Sequence, residues 1–130
     1  MESNTMSDAL ERLIEAVAAG SIRSKFDPAF ERAIYPQVKA MSTVYLAGEA
    51  YCGSLDAAND LHGVLLPGWT ACVGQNAYHG DWNAFVRLAQ DGSITREHWG
   101  GTDGKPARAW LLAILRAKLA ENHPRQETSD

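Results

Sequence analysis

The chain has 130 residues, 45% of them hydrophobic and 22% charged, with a formal net charge of −4. That size and balance suit one domain burying roughly two-thirds of its unfolded surface, and they exclude a disordered chain or a disulfide scaffold. The start Met1-Glu2-Ser3-Asn4-Thr5 is polar and acidic with no basic leader, and the longest apolar run, Ala109 to Leu115, is too short for a bilayer, so the expectation is a cytoplasmic protein without membrane contact.

Disorder is expected over residues 1–7. Asp8 followed by Glu11 forms a capping-box pattern, and Leu10, Leu13, Ile14, Val17 and Ala18 then recur at helical spacing until Gly20. A second helix is predicted from Asp27 as N-cap with Pro28 in the first turn, carrying Phe30, Ala33 and Ile34 and ending before Pro36. Residues 37 to 52 read as a loop with extended character. Val44, Tyr45 and Leu46 have strand chemistry there, and Ala47, Gly48 and Glu49 interrupt it. Ser54 caps a third helix with Asp56 in its first turn and an apolar stripe of Leu55, Ala58, Leu61 and Leu65, closed by Pro67-Gly68.

Alternation then takes over. Trp69, Ala71 and Val73 share one side of a first strand, and Trp82, Ala84, Val86 and Leu88 one side of a second. Gln90-Asp91-Gly92-Ser93 is a hairpin turn into a third strand, Ile94 to Trp99, poorer in apolar residues and suited to a sheet edge. Gly100, Gly101 and Gly104 read as a mobile linker, and Pro106 opens a last helix reaching about Glu121, apolar on most of its circumference. Such a helix belongs at the centre of the core or at a homo-oligomer interface. Residues 122–130 are expected to be a disordered tail, leaving 8–121 as one α+β sandwich-like domain with a three-stranded antiparallel meander and the order α-α-α-β-β-β-α.

Three stretches, taken in order, resemble the phage ABA sandwich domain, a family of phage and prophage proteins. They are Leu13 to Gly20, then Gly53 to Ala58 running on to Leu65-Leu66-Pro67-Gly68-Trp69, and finally Pro106 to Leu115. The resemblance implies an α/β sandwich encoded by a phage or prophage, acting in the cytoplasm of the bacterial host, and implies no activity. One departure is visible: such domains often place Thr before the Pro-Ala of the last helix, where this chain has Lys105. Thr102 or Asp103 is left to reach across Gly104 as the cap.

The chemistry-bearing residues form no familiar constellation. His62, His79, His98 and His123 lack the spacing of a structural zinc site, and Cys52, His62 and Cys72 lie ten apart, so no metal or other cofactor is expected. The two cysteines either pair in an oxidising compartment or stand reduced as half-buried packing residues. No nucleophile motif is present; Tyr78, His79, Asp81 and His98 converge at one end of the sheet only if the loop of residues 74–81 neighbours the third strand. The reading is therefore not an enzyme. Gly100-Gly101-Thr102-Asp103-Gly104-Lys105 precedes a helix N-terminus, but Pro106 stands where a Walker loop needs Ser or Thr.

Charge is divided along the chain. Residues 1 to 86 carry five basic and ten acidic side chains, with no Lys or Arg from Ala40 to Val86, whereas residues 87 to 125 carry seven basic and four acidic. These are either two solvated faces or two binding poles. Binding of a host or phage protein is the first functional expectation, with Glu49, Asp56, Asp60 and Trp99 as candidate contacts. Burial in the core is the first reading of Trp99, and its place on an expected edge strand beside a glycine linker makes an exposed interface aromatic the alternative. The second expectation is nucleic-acid binding through Arg87, Arg96, Lys105 and Arg108, because the order helix–strand–strand–strand–helix from Ser54 to Glu121 resembles that of double-stranded RNA-binding domains.

Overall fold

Amphipathic spacing makes the helical layer, and the turns between its members set where each helix begins. In the computed structural model, which describes residues 5–76 and 80–122, the elements are α1 (Thr5–Ala19), α2 (Pro28–Val38), α3 (Met41–Tyr51), α4 (Leu55–Leu65), β1 (Thr70–Gln75), β2 (Asp81–Gln90), β3 (Ser93–Asp103) and α5 (Pro106–Glu121). The protein is thus an α+β fold with a three-stranded antiparallel sheet in the order β1-β2-β3.

Helix α1 begins at Thr5, so residues 5–7 are helical rather than disordered. Asp8 lies in the first turn, where it complements the helix dipole, and does not cap it. Leu10, Leu13 and Val17 form its buried stripe. Helix α2 starts as expected: the Asp27 carboxylate accepts from the Ala29 N–H at 2.8 Å, and Pro28 occupies the first turn. It then runs through Pro36 to Val38 instead of stopping. Pro36 removes one helical hydrogen bond, a cost of ~3 kcal/mol in a helix interior, which burial of Phe30, Ala33 and Ile34 on the same helix offsets.

Residues 41–51 correct the loop expected there. Thr43 and Val44, Ala47 and Gly48, and Ala50 and Tyr51 are buried at three- and four-residue spacing, which is the period of a helix face. Gly48, read as an interruption, is the contact point: a Cβ there would strike the Lys25 carbonyl oxygen and come within 3.0 Å of the Lys25 carbonyl carbon. Tyr51 ties the same segment down, its hydroxyl accepting from the Ile22 N–H at 3.1 Å and donating to the Ile22 carbonyl at 2.9 Å. Helix α4 is capped by Ser54 Oγ, which accepts from Ala57 N–H at 3.0 Å. Its stripe omits Leu55, which is exposed.

The hairpin between β2 and β3 turns through Asp91 (φ 54°) and Gly92 (φ 82°), the paired positive φ of a type I′ turn. Strand β3 is longer than expected and includes Gly100 and Gly101, so these are ladder residues and not a linker. Gly100 is where α5 meets the sheet: a Cβ there would strike the Ala109 carbonyl and lie 2.6 Å from Leu112 Cβ. Helix α5 packs on all three strands with one side and on α1, α3 and α4 with the other. None of its residues is fully exposed. A homodimer through its apolar face would have to displace those elements. No helix among the described residues is long and apolar enough to cross a membrane.

Candidate functional site

Pleating divides the sheet into two faces. Ala84, Val86, Trp82 and Leu88 of β2 point at α5 together with Trp69, Ala71 and Val73, as the alternation predicts. The opposite face has no helix upon it among the described residues, and its side chains form three rows across the strands. The pairing sets Thr70–Arg87–Glu97 in one row, Cys72–Phe85–Trp99 in the next and Gly74–Asn83–Gly101 in the third.

The middle row is aromatic. The Phe85 and Trp99 rings are 4.9 Å apart between centroids, tilted by 52°, within the range of favourable aromatic pairs. Trp99 is 49% exposed, which decides its two readings in favour of the surface. The guanidinium of Arg87 lies 4.0 Å over the Phe85 ring and donates to Glu97 Oε2 at 3.1 and 3.2 Å. Glu97 Oε2 also accepts the Trp99 indole N–H at 3.0 Å. One carboxylate therefore holds both the cation and the indole in place. Beside them the glycine at position 74 leaves a hollow of about 250 Å³ lined by Cys72, Gln75, Asn76, Asn83, Phe85 and Trp99. Phe85 and this hollow were not singled out in the sequence, and Cys72 was read there only as a disulfide partner or a packing residue. The signal was present in one place: Phe85 is an aromatic on the parity of β2 that otherwise holds Asp81, Asn83, Arg87 and Ala89.

The other candidate residues do not join this face. Glu49 on α3 pairs with Lys25 at 2.9 Å, and that bond holds the Lys25 ammonium above its ordinary range. Asp56 and Asp60 are exposed on α4. Of the cations, Arg87 alone stands on the open face. Arg96 shares the α5 side with His98, opposite Leu88. Arg108 stacks 3.8 Å over the Tyr51 ring and donates from Nε to the Tyr51 carbonyl at 3.1 Å, joining α5 to the end of α3. Lys105 is the N-cap residue of α5 and makes no side-chain cap bond. Helix α4, the counterpart of the first helix in an RNA-binding unit, packs on α3 and α5.

Both cysteines are free and exposed, Cys52 at the end of α3 and Cys72 on the open face, so they are not packing residues. Asp81 and His98 do not meet: His98 is opposite Val86, five residues along β2 from Asp81, about 17 Å at ~3.4 Å per residue. Tyr78, His79 and His123 lie outside the described residues. His98 is half-buried beside Trp69, at 6.3 Å between rings, and loss of solvent, reinforced by Arg96 and opposed by Glu121, lowers its pKa from the ordinary 6.5. His62 is buried and bonded twice. Its Nε2–H donates to the Trp69 carbonyl at 2.9 Å and its Nδ1 accepts the Trp110 indole N–H at 3.3 Å, a core strut with no free ring nitrogen. Among the described residues no three His, Cys, Asp or Glu side chains gather as a metal site would require.

Fold and site together define a sandwich-like α+β domain in which α5 runs between a layer of helices and a sheet with one open aromatic face. Comparison with family models, curated proteins and solved structures finds no match to this chain.

Proposed function

We propose that the chain is a protein-binding module whose open sheet face receives an apolar side chain of a host or phage protein. The observation that carries this reading is the half-exposed Trp99 stacked on Phe85 beside the hollow at Gly74. Aromatic and arginine side chains at the centre of a patch are the residues on which binding energy concentrates, and here both are pre-positioned by Glu97, so little ordering entropy remains to be lost on docking. The hollow is smaller than the roughly 300–1,000 Å³ of small-molecule pockets and matches one inserted side chain. A nucleic acid would meet Glu97 on the face and find Arg87 already paired, with Arg96 and Arg108 elsewhere. The phage or prophage setting rests on the resemblance alone.

The test uses the exposed Cys72 thiol as the attachment point for a short photocrosslinker, in a tagged Cys52→Ser chain offered to nuclease-treated host lysate. Capture of one protein by this chain, lost on Trp99→Ala and kept when Glu49, Asp56 and Asp60 are reversed to Lys, supports the sheet face. Capture indifferent to Trp99→Ala but lost on the charge reversal moves the site to the acidic helices. Capture that needs intact nucleic acid replaces protein by nucleic acid as the partner.

A further inference from the structure

A second surface lies away from the sheet, between the start of α2 and α3. Phe26 is 70% exposed and Tyr45 50%, and their rings stand nearly perpendicular, 81° apart with centroids separated by 6.4 Å. Apolar rings this open are held out by the chain. The Phe26 N–H donates to Ser24 Oγ at 3.0 Å and the Asp27 N–H to the Ser24 carbonyl at 3.1 Å, forming a turn locked ahead of the α2 cap. The close approach of Gly48 to the Lys25 backbone fixes that turn against α3. The result is a cleft of about 180 Å³ whose walls include Lys25, Phe26, Tyr45, Met41, Asp27 and Glu31.

Its electrostatics select the occupant. Lys25 and Glu49 neutralise each other at 2.9 Å. Asp27 and Glu31 remain, neither with a cationic partner among the described residues, and the α2 N-terminus returns only about half a positive charge. The cleft is thus net negative and lined by two aromatic rings, the combination that attracts a cation. The Lys25 ammonium, 5.5 Å from the Phe26 centroid, already shows a cation in that field. In the sequence, no Lys or Arg occurs from Ala40 to Val86, the stretch that includes α3. We infer that the cleft between α2 and α3 binds an arginine side chain of a basic peptide, the planar guanidinium lying against the aromatic walls with Glu31 and Asp27 as acceptors. A purely apolar occupant would leave Glu31 without a partner, and an acidic one would be repelled.

This site is independent of the sheet-face reading, and its test leaves that face untouched. The intact protein is titrated with acetyl-arginine amide, and separately with its neutral isostere acetyl-citrulline amide, while the Tyr45 and Phe26 ring resonances are followed by NMR. Saturable shifts at about millimolar arginine probe, at least about tenfold weaker with citrulline, are expected. Glu31→Gln should weaken and Phe26→Ala abolish the response; both residues are exposed, and an unchanged melting temperature verifies the fold. Equal affinity for the two probes, no saturable shift with arginine, or a response that survives both substitutions overturns the proposal.

Discussion

Gly100→Ala places one methyl group between β3 and the middle of α5, and the geometry sets its cost. The new Cβ would strike the Ala109 carbonyl and lie 2.6 Å from Leu112 Cβ and 2.7 Å from the Ala113 nitrogen. Relaxed carbon contacts lie near 3.5–4.0 Å, so the gap must open by about 1 Å. Two of the three obstructions are backbone atoms of a helix buried against both layers, so no side chain can swing aside. The expected loss is at the upper end of the ~1–3 kcal/mol typical of overpacked cores, or roughly 10 °C in melting temperature for a chain of this size. Gly63→Ala is the matched control. Gly63 lies inside α4 with nothing within 4 Å of its added Cβ, and replacing an exposed helical glycine should gain ~0.5–1 kcal/mol. Urea denaturation of the pair should move the midpoints in opposite directions. A Gly100→Ala protein as stable as the wild type would refute the account of how α5 seats on the sheet.

Two further substitutions probe other joints. Tyr51→Phe keeps the buried ring but removes both hydroxyl bonds to the Ile22 backbone, with an expected destabilisation of ~1–3 kcal/mol and faster hydrogen exchange at the Ile22 amide; unchanged exchange there would show that the hydroxyl is not the tie. His98 has a lowered pKa in the folded state, so the unfolded chain takes up the proton first. Its contribution is intact above about pH 6.5 and is lost as pH falls through the lowered value. Melting temperatures near pH 7.5 and pH 5.5 should therefore differ less in His98→Gln than in the wild type, and an identical drop in both proteins would assign the acid sensitivity to other groups.

The pattern in the chain reached the meander, α4 and α5 because their signals are local. Ser54 caps within three residues, Asp91-Gly92 turns within two, and the alternation of Trp82, Ala84, Val86 and Leu88 needs only a strand to be read. It failed at α3, where Val44-Tyr45-Leu46 favours extended structure by propensity. Burial of Val44, Ala47 and Tyr51 against neighbouring helices outweighs differences of that size. It also failed at the glycines. Gly48 and Gly100 look like breaks in a sequence, yet each is small because another backbone comes close, a fact that belongs to the partner segment and not to the glycine.

The functional surfaces divide in the same way. Trp99 was visible as an aromatic on an edge strand, and parity marked Phe85 as out of place on a mostly polar face. Whether such residues lie in a core or on an open surface depends on what covers the other side of the sheet, and no local pattern states that. The pairing of Glu49 with Lys25, the use of Arg108 as a strut on Tyr51 and the meeting of Phe26 with Tyr45 are likewise contacts between segments distant in sequence. Composition, capping and period by themselves determined the class of fold and most of its elements. The open face and the aromatic cleft were decided only when α5 filled one side of the sheet and the turn before α2 docked on Gly48, because exposure is a property of packing and not of any residue alone.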